Sequence, residues 1–258
     1  MAIAALGRQG QWVAALALWG EMRGSGLRPD IVLQNTMISA LERGERWEHA
    51  LWIFDELRRM QRPSVVSWGA AISACATGGH WEAALRLLGE LRADKREPNV
   101  ISYNAAISAC ERGRRWEWAC QLLGDMPKAN LRPDVVSYSG AISASEQGHR
   151  WEEALWLFGL SQREQLSPDV VAFSAAIGAC SYGLQWRMAL NLLREMKRQD
   201  LLPNLVTYTA AISACEKGQR WEFALELFAE LHERHLEADV YTFSATISAF
   251  EKGQEWQQ

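Results

Sequence analysis

Eight tryptophans are spaced almost evenly along the whole chain, and this spacing points to a repeat architecture. Consecutive members are 35 residues apart, except for one interval of 34 residues. The eight are Trp12, Trp47, Trp81, Trp116, Trp151, Trp186, Trp221 and Trp256. Self-similarity at a period of roughly 20 to 50 residues is the signature of solenoids and other repeat arrays. The chain is therefore predicted to be one continuous array.

Repeat boundaries follow from the polar residue that, in most units, comes directly after a proline. They divide the 258 residues with nothing left over for a linker or a second domain. The predicted units are a partial unit 1–30, six units at 31–64, 65–99, 100–134, 135–169, 170–204 and 205–239, and a partial unit 240–258. Positions are numbered from 1 within each unit.

Two apolar stripes at helical spacing predict two helices in each unit. In unit 100–134 the first stripe occupies positions 4, 7, 8 and 11, and the second begins at Trp116. Gly113 is expected to end the first helix in the left-handed conformation that glycine readily adopts. Asp134, which follows Pro133, is placed to cap the next first helix. The expected fold class is all-α, a solenoid of about seven helical hairpins that stack to bury each other's stripes.

Positions 2, 5, 9, 12 and 13 of the first helix share the face opposite its buried stripe. Position 2 is apolar in each unit that has one, namely Val32, Val66, Ile101, Val136, Val171, Val206 and Tyr241. Position 5 is small or polar, namely Asn35, Gly69, Asn104, Ser139, Ser174, Thr209 and Ser244. Position 13 is cationic at Arg8, Arg43, Arg112, Lys217 and Lys252, the predicted phosphate contacts. An apolar clamp, a hydrogen-bonding side chain and an intermittent cation in each unit suit single-stranded nucleic acid, one base per unit.

Three alternatives for this face stay open at the level of sequence. The apolar residue at position 2 could instead contact the neighbouring hairpin. Small polar residues are also ordinary in a first helical turn. The glutamates common at position 12 could pair with the position 13 cations, and with a net charge of −4 they leave room for a protein partner instead of a nucleic acid.

Composition excludes several other classes. With 48% hydrophobic and 22% charged residues, the chain is not intrinsically disordered. Its apolar stretches are too short for a membrane span, and the net charge rules out a polycation that grips nucleic acid by bulk charge alone. Four cysteines, Cys75, Cys110, Cys180 and Cys215, share position 11 and are expected to be reduced core thiols. No metal site, cofactor or catalytic constellation is predicted, so the chain is not expected to be an enzyme.

The units resemble pentatricopeptide repeats, a family of RNA-binding helical solenoids with a 35-residue unit. The matching stretches are VVSYSGAIS at 135–143, ALELFAEL at 224–231, and Pro-Asp or Pro-Asn pairs at 29–30, 98–99, 133–134, 168–169 and 203–204. The resemblance covers the entire chain and implies a right-handed α-α superhelix without C-terminal extension domains. The W-x₂-L-G-x₂-Y start of tetratricopeptide repeats is missing, which disfavours that neighbouring protein-binding family.

The resemblance also implies how bases are read. In that family the fifth and last residues of a unit select the base, and the position 2 residues sandwich it. The implied pairs are Asn35 with Ser64 for a pyrimidine, Gly69 with Asn99 for an undefined base, Asn104 with Asp134 for U, Ser139 with Asp169 for G, Ser174 with Asn204 for A, and Thr209 with Asp239 for G. Read in the family's direction, the implied target core is 5′-Y-N-U-G-A-G-3′.

The function expected from the resemblance is that of a single-stranded RNA-binding adaptor in organellar RNA processing, stabilisation or editing-site recognition. A processing or editing enzyme acting in trans is the further partner implied, and no membrane is involved. The expected location is a mitochondrion or chloroplast, on the resemblance alone, because residues 1–30 lack the arginine- and serine-rich character of a transit peptide. The alternative is a protein-interaction scaffold that uses the concave face of the solenoid.

Overall fold

The computed structural model describes residues 11–27, 29–60, 62–94 and 96–254. Arg8 and Trp256, which the repeat pattern singled out, lie outside the described residues. The chain divides into two compact units, Met1–Pro133 and Asp134–Gln258. Within the described ranges every regular element is helical, and no strand is present. The predicted all-α class is therefore confirmed.

The first and second units are these two compact units, and each unit of the sequence pattern is called a repeat. Within each compact unit, the first and second helices of successive repeats alternate along the chain. The helices of the first unit are α1 (Trp12–Gly24), α2 (Ile31–Arg43), α3 (Trp47–Met60), α4 (Val65–Thr77), α5 (Trp81–Ala93), α6 (Val100–Arg112) and α7 (Trp116–Asp125), followed by a 3-10 turn at Pro127–Ala129. Those of the second unit are α8 (Val135–Gln147), α9 (Trp151–Arg163), α10 (Val170–Tyr182), α11 (Trp186–Arg198), α12 (Leu205–Lys217), α13 (Trp221–Glu233) and α14 (Val240–Gln254). None of these described helices is both long and apolar enough to cross a bilayer.

First helices form a continuous row inside each unit. In the first unit α2 packs on α4 and α4 on α6, while each also packs on the second helix of its own hairpin. In the second unit α8, α10, α12 and α14 contact one another in the same succession. Stacked helical hairpins of this kind place equivalent first-helix residues of successive repeats side by side.

The isoleucine at position 8 anchors the core of nearly every repeat. The fully buried members are Ile38, Ile72, Ile107, Ile142, Ile177 and Ile212. Ile247 is exposed instead, because no described second helix covers α14. The cysteines at position 11 are free and buried, as their place on the same stripe predicted.

N-caps set the start of the first helices. The side chain of the last residue in each preceding unit accepts a hydrogen bond from the backbone N–H three residues on. These caps are Asp30, Ser64, Asn99, Asp134, Asp169, Asn204 and Asp239. A cap of this kind contributes about 1 kcal/mol to helix stability. The predicted capping role is thus confirmed.

The reason given above for the glycine at position 14 is wrong. Gly113 has a φ of −78°, and the left-handed residue is the next one, Arg114, with a φ of 53°. The glycine is needed for space, because a Cβ there would collide with the tryptophan that begins the second helix of the preceding repeat. At Gly78, for example, it would lie 2.5 Å from Cδ1 of Trp47. The tryptophans therefore pack between repeats as well as within their own hairpins.

Candidate nucleic-acid interface

The apolar residues at position 2 form an exposed row on the first helices. All seven are between 53% and 78% exposed, namely Val32, Val66, Ile101, Val136, Val171, Val206 and Tyr241. Each lies in the first turn of its helix, one residue before position 3, which is buried in all of these repeats except at Leu33. The neighbouring hairpin does not cover them, which removes the first alternative. Exposed apolar side chains repeated at a fixed spacing are available for flat, apolar partners such as bases.

Next to this row, the fifth residue of one repeat meets the residue that caps the next. Ser139 Oγ donates a hydrogen bond to Asp169 Oδ1 at 2.8 Å, and it also lies 2.7 Å from the carbonyl oxygen of Val135. Asp169 Oδ1 accepts the cap bond from the N–H of Ala172 at 2.8 Å. Both bonds use Oδ1, so neither occupies Asp169 Oδ2.

Two other predicted pairs in the second unit are joined through an intervening hydroxyl. Ser174 Oγ and Thr207 Oγ1 lie 2.7 Å apart, and Thr207 Oγ1 donates to Asn204 Oδ1 at 2.9 Å. Thr209 repeats the arrangement through a threonine on α14. Its Oγ1 lies 2.7 Å from Thr242 Oγ1, which donates to Asp239 Oδ1 at 2.7 Å.

Sequence reasoning missed this third position. Its residues are Leu33, Ser67, Ser102, Ser137, Ala172, Thr207 and Thr242. The available signal was a Ser or Thr three residues after five of the seven caps, which is the spacing of a capping box. Reciprocal boxes are present at Ser64, Asp134 and Asn204.

In the first compact unit, Gly69 is the fifth residue of its repeat and lies beside the hydrogen-bonded pair of Ser102 and Asn99. A Cβ on Gly69 would lie 3.7 Å from Ser102 Oγ, which donates to Asn99 Oδ1 at 2.8 Å. Asn35 differs, since its Oδ1 is buried and has no hydrogen-bond partner among the described residues. The cap paired with it by sequence, Ser64, has its hydroxyl 2.9 Å from Ser67 Oγ.

For two further predicted base-reading positions, Asn104 and Ser244, the assignment rests on the sequence. Asn104 belongs to the first compact unit and Asp134 to the second, so their pairing stays a prediction. Ser244 is exposed on α14.

The cap bonds fix which atom of each last residue is left for a ligand. In Asn204, two donors from Thr207, the backbone N–H and the hydroxyl, both reach Oδ1. The amide nitrogen Nδ2, a donor only, is therefore the end turned away from the cap. At Asp239 the corresponding atom is Oδ2, and hydrogen bonds from Thr242 hold the pKa of that carboxyl below its ordinary value. The carboxylate stays ionised and can only accept.

Three of the four described position 13 cations contact the preceding repeat. Lys252 Nζ lies 2.6 Å from Glu216 Oε1 and pairs with it. Lys217 Nζ lies 4.6 Å from the centroid of the Tyr182 ring. Arg112 donates to the backbone carbonyl of Thr77 at 3.3 Å. Arg43 is exposed near the end of α2.

Glutamates at position 12 join neighbouring first helices across the same face. Glu216 accepts a hydrogen bond from Ser248 at 3.0 Å as well as pairing with Lys252. Glu42 accepts from Ser73 of the next repeat. A glutamate therefore neutralises at least one predicted phosphate contact, so charge attraction along this face is weaker than the count of cations predicts.

Comparison with family models decides the membership of the chain. The model of the PPR repeat family matches residues 63–112, 98–145, 168–217 and 203–252, which together make up more than half of the chain. The model of the PPR repeat matches residues 2–27 and 35–61. The chain belongs to the pentatricopeptide repeat family.

Solved pentatricopeptide structures are similar over most of this chain. PPR10 from maize is 25% identical with a TM-score of 0.68, and the match covers 95% of this chain and 35% of that one. PPR10 in complex with an 18-nt psaJ RNA element is 19% identical with a TM-score of 0.62, covering 98% and 43%. The PPR domain of Arabidopsis thaliana protein-only RNase P 1, in complex with tRNA, is 14% identical with a TM-score of 0.58, covering 72% and 94%.

This pentatricopeptide chain spans less than half the length of the PPR10 chains that it matches. The comparison with curated proteins gave no match.

Proposed function

We propose that this chain binds single-stranded RNA along the face of its first helices, with one base per repeat. The observation that carries the proposal is the hydrogen-bonded link between the fifth residue of a repeat and its last residue, beside an exposed apolar residue at position 2. Ser139 with Asp169 shows the link most directly, at 2.8 Å. Two similar solved structures, of PPR10 and of an RNase P PPR domain, contain RNA.

The chemistry of the last residue supports the bases assigned by family resemblance. The carboxyl oxygens of Asp169 and Asp239 can accept hydrogen bonds from the N1–H and N2–H₂ groups of guanine. The outward Nδ2 of Asn204 donates to N1 of adenine. Stacking of a base on an aromatic side chain contributes on the order of 1–3 kcal/mol. Six of the seven position 2 residues here are aliphatic, and they contribute dispersion and desolvation instead.

The proposed target core is 5′-Y-N-U-G-A-G-3′, with the chain running from its N-terminus to its C-terminus along RNA from 5′ to 3′. We place this activity in a mitochondrion or chloroplast, where the chain would protect a transcript or direct its processing or editing. An enzyme recruited in trans would supply any chemistry. This biological role rests on family resemblance, and the binding chemistry rests on the contacts described above.

Selection from a randomised single-stranded RNA pool, followed by titration at several salt concentrations, tests the proposal. The wild-type chain should enrich U-G-A-G. The variant Asn204→Asp changes the donor Nδ2 into an acceptor in nearly the same volume. It should therefore move the preference at the A position toward G by about fivefold or more, as expected for exchanging one specific hydrogen bond.

The matched control is Asn191→Asp, which makes the same chemical change at an exposed position of α11. It should leave the selected sequence unaltered. Enrichment of no sequence by the wild-type chain would overturn base reading. Loss of all RNA binding at moderate salt would instead favour a protein partner for this face.

A further inference from the structure

The residue at position 3 of the first helix lies between the fifth and last residues in the relayed base-reading networks at Thr207 and Thr242. Five of the seven repeats that have this position described carry a hydroxyl there; the other two carry Leu33 and Ala172. The five side chains, Ser67, Ser102, Ser137, Thr207 and Thr242, are fully buried. A buried hydroxyl needs hydrogen-bond partners, because an unpaired one costs roughly 1–3 kcal/mol. The partners here are side chains that the resemblance assigns to base reading.

The donors and acceptors around Ser174 and Asn204 define the role of the Thr207 hydroxyl. The Thr207 backbone N–H donates to Asn204 at 3.0 Å, which identifies the accepting atom as Oδ1 and not Nδ2. The Thr207 hydroxyl donates its single proton to the same oxygen at 2.9 Å. One of its lone pairs accepts the proton of Ser174 Oγ, 2.7 Å away, and the other faces the backbone N–H of Asn204 at 3.4 Å. Ser174 is thereby left with acceptor lone pairs only.

One residue of the following repeat therefore determines whether the fifth and last residues present a donor or an acceptor to a base. The Thr207 hydroxyl accepts the hydrogen bond of Ser174, the fifth residue, and its own donation to Oδ1 of Asn204, the last residue, keeps Nδ2 of that amide outward. Thr242 likewise donates at 2.7 Å to the carboxylate of Asp239. The single proton of Thr209 Oγ1 is shared between Thr242 Oγ1 at 2.7 Å and the carbonyl oxygen of Leu205 at 2.8 Å, so Thr209 also has only acceptor lone pairs left.

We propose that position 3 of each repeat is a positioning residue for base selection by the preceding repeat. Base reading then depends on three side chains, the fifth and last residues of one repeat and the third residue of the next. This inference rests on the proposed function, because it concerns how the same surface discriminates bases.

The repeat that follows the pair of Ser139 and Asp169 lacks the hydroxyl, and this pair takes a different arrangement. Position 3 is Ala172 there, and Ser139 contacts Asp169 directly at 2.8 Å. The variant Ala172→Thr should convert this direct pair into the relayed form seen at Thr207.

The first test needs no RNA. Titration of the Asp239 carboxyl by NMR compares the wild-type chain with Thr242→Val and Thr242→Ser. Valine keeps the shape of threonine but has no hydroxyl, so the pKa of Asp239 should rise toward its ordinary value. Serine restores the donor and should keep the pKa low. An unchanged pKa in Thr242→Val overturns the inference.

The second test measures the preference for G over A at the base assigned to Thr209 and Asp239, using short RNAs that differ at that base. Thr242→Val should reduce the preference about three- to tenfold, the range expected for one misplaced hydrogen bond. Thr242→Ser should retain it. The preference for A at the base assigned to Ser174 and Asn204 should not change.

The control for a merely structural effect is Thr246→Val, one turn along α14. Thr246 is also buried and donates to the backbone carbonyl of Thr242 at 2.8 Å, but it has no bond to Asp239. If Thr246→Val loses the G preference as strongly as Thr242→Val, the inference is wrong. A wild-type chain with no base preference would refute the proposed function, and the Asp239 titration would then decide the inference alone.

Discussion

Gly218 lies against the indole ring of Trp186 from the preceding repeat, so closely that a Cβ built on the glycine would be 2.5 Å from Trp186 Cδ1. Arg220 covers the same indole, with its guanidinium carbon 5.0 Å from the ring centroid. The left-handed residue between them, with a φ of 55°, is Gln219. The glycine therefore serves packing, and a residue with a Cβ carries the backbone strain.

Two single substitutions separate these roles. Gly218→Ala should destabilise the chain by about 1–3 kcal/mol, because the added methyl group displaces Trp186 from a packed interface. Gln219→Gly should stabilise it by up to about 1 kcal/mol, because a left-handed conformation is costly for residues with a Cβ. Urea unfolding followed by circular dichroism measures both. Stabilisation by Gly218→Ala would contradict the packing role.

Removing the charge of Glu216 should strengthen RNA binding. Glu216→Gln keeps an acceptor for Ser248 but releases Lys252 from its ion pair, so the lysine becomes available to a phosphate. Affinity should increase at low salt, and the salt dependence should steepen by about 0.7 in log–log slope for one additional phosphate contact. Fluorescence anisotropy with labelled RNA at several salt concentrations measures both quantities.

A control with the same change of net charge is Glu226→Gln, at an exposed position on the second helix α13. This variant should bind RNA with the wild-type salt slope. If both variants gain affinity equally, the effect comes from overall charge and not from Lys252.

Gly69→Ser should give repeat 65–99 a base preference, where the family resemblance leaves the base undefined. The space is available, since a Cβ there would meet Ser102 Oγ at 3.7 Å, an ordinary contact distance. The new pair, serine with Asn99, would match Ser174 with Asn204 and should select A. Replacing a glycine inside α4 should also stabilise the helix by about 0.5 kcal/mol. RNA selection with the variant measures the preference, and an unchanged preference at that base would count against the assignment of position 5.

Buried thiols should make stability fall at alkaline pH. Burial raises the pKa of Cys75 to about 11 and the pKa values of Cys110, Cys180 and Cys215 to about 12. In the unfolded chain these thiols ionise near pH 8.5, so the unfolded state binds fewer protons above that pH. The free energy of unfolding should then decrease between about pH 9 and pH 11 and should not depend on these groups below pH 8.

A variant with serine at all four cysteine positions isolates this effect. Ser145 already occupies the equivalent position of one repeat, where it is buried and its hydroxyl donates to the carbonyl oxygen of Ala141 at 2.8 Å. The four-serine variant should lose most of the decrease between pH 9 and pH 11 in urea unfolding. An equally steep decrease in both chains would assign it to other groups, such as Tyr208, whose pKa is also raised.

The helical hairpins and the exposed face were predictable because they depend on local periodicity. A stripe at positions 4, 7, 8 and 11 fixes the buried side of each first helix, so the opposite side must carry residues such as Val136 and Ser139. The caps were also predictable, since a polar residue after proline and before a helical stripe has few other roles.

Other features depended on contacts between residues about 30 or more apart. The glycine at position 14 was misread because only the neighbouring repeat brings Trp186 against Gly218. The hydroxyl at position 3 was overlooked because its partners, such as Ser174 for Thr207, belong to the preceding first helix.

By itself the amino-acid sequence determined the period, through tryptophans 34 or 35 residues apart, and the helices with their buried stripes, through side-chain spacing within about ten residues. The candidate reading positions followed from the exposed face of the first helices and from the family resemblance. Only the tertiary structure decided which side chains share protons, which cation is neutralised by Glu216, and why glycine is required beside tryptophans such as Trp186. Those outcomes depend on the distance between atoms of adjacent repeats, which the spacing within one repeat does not specify.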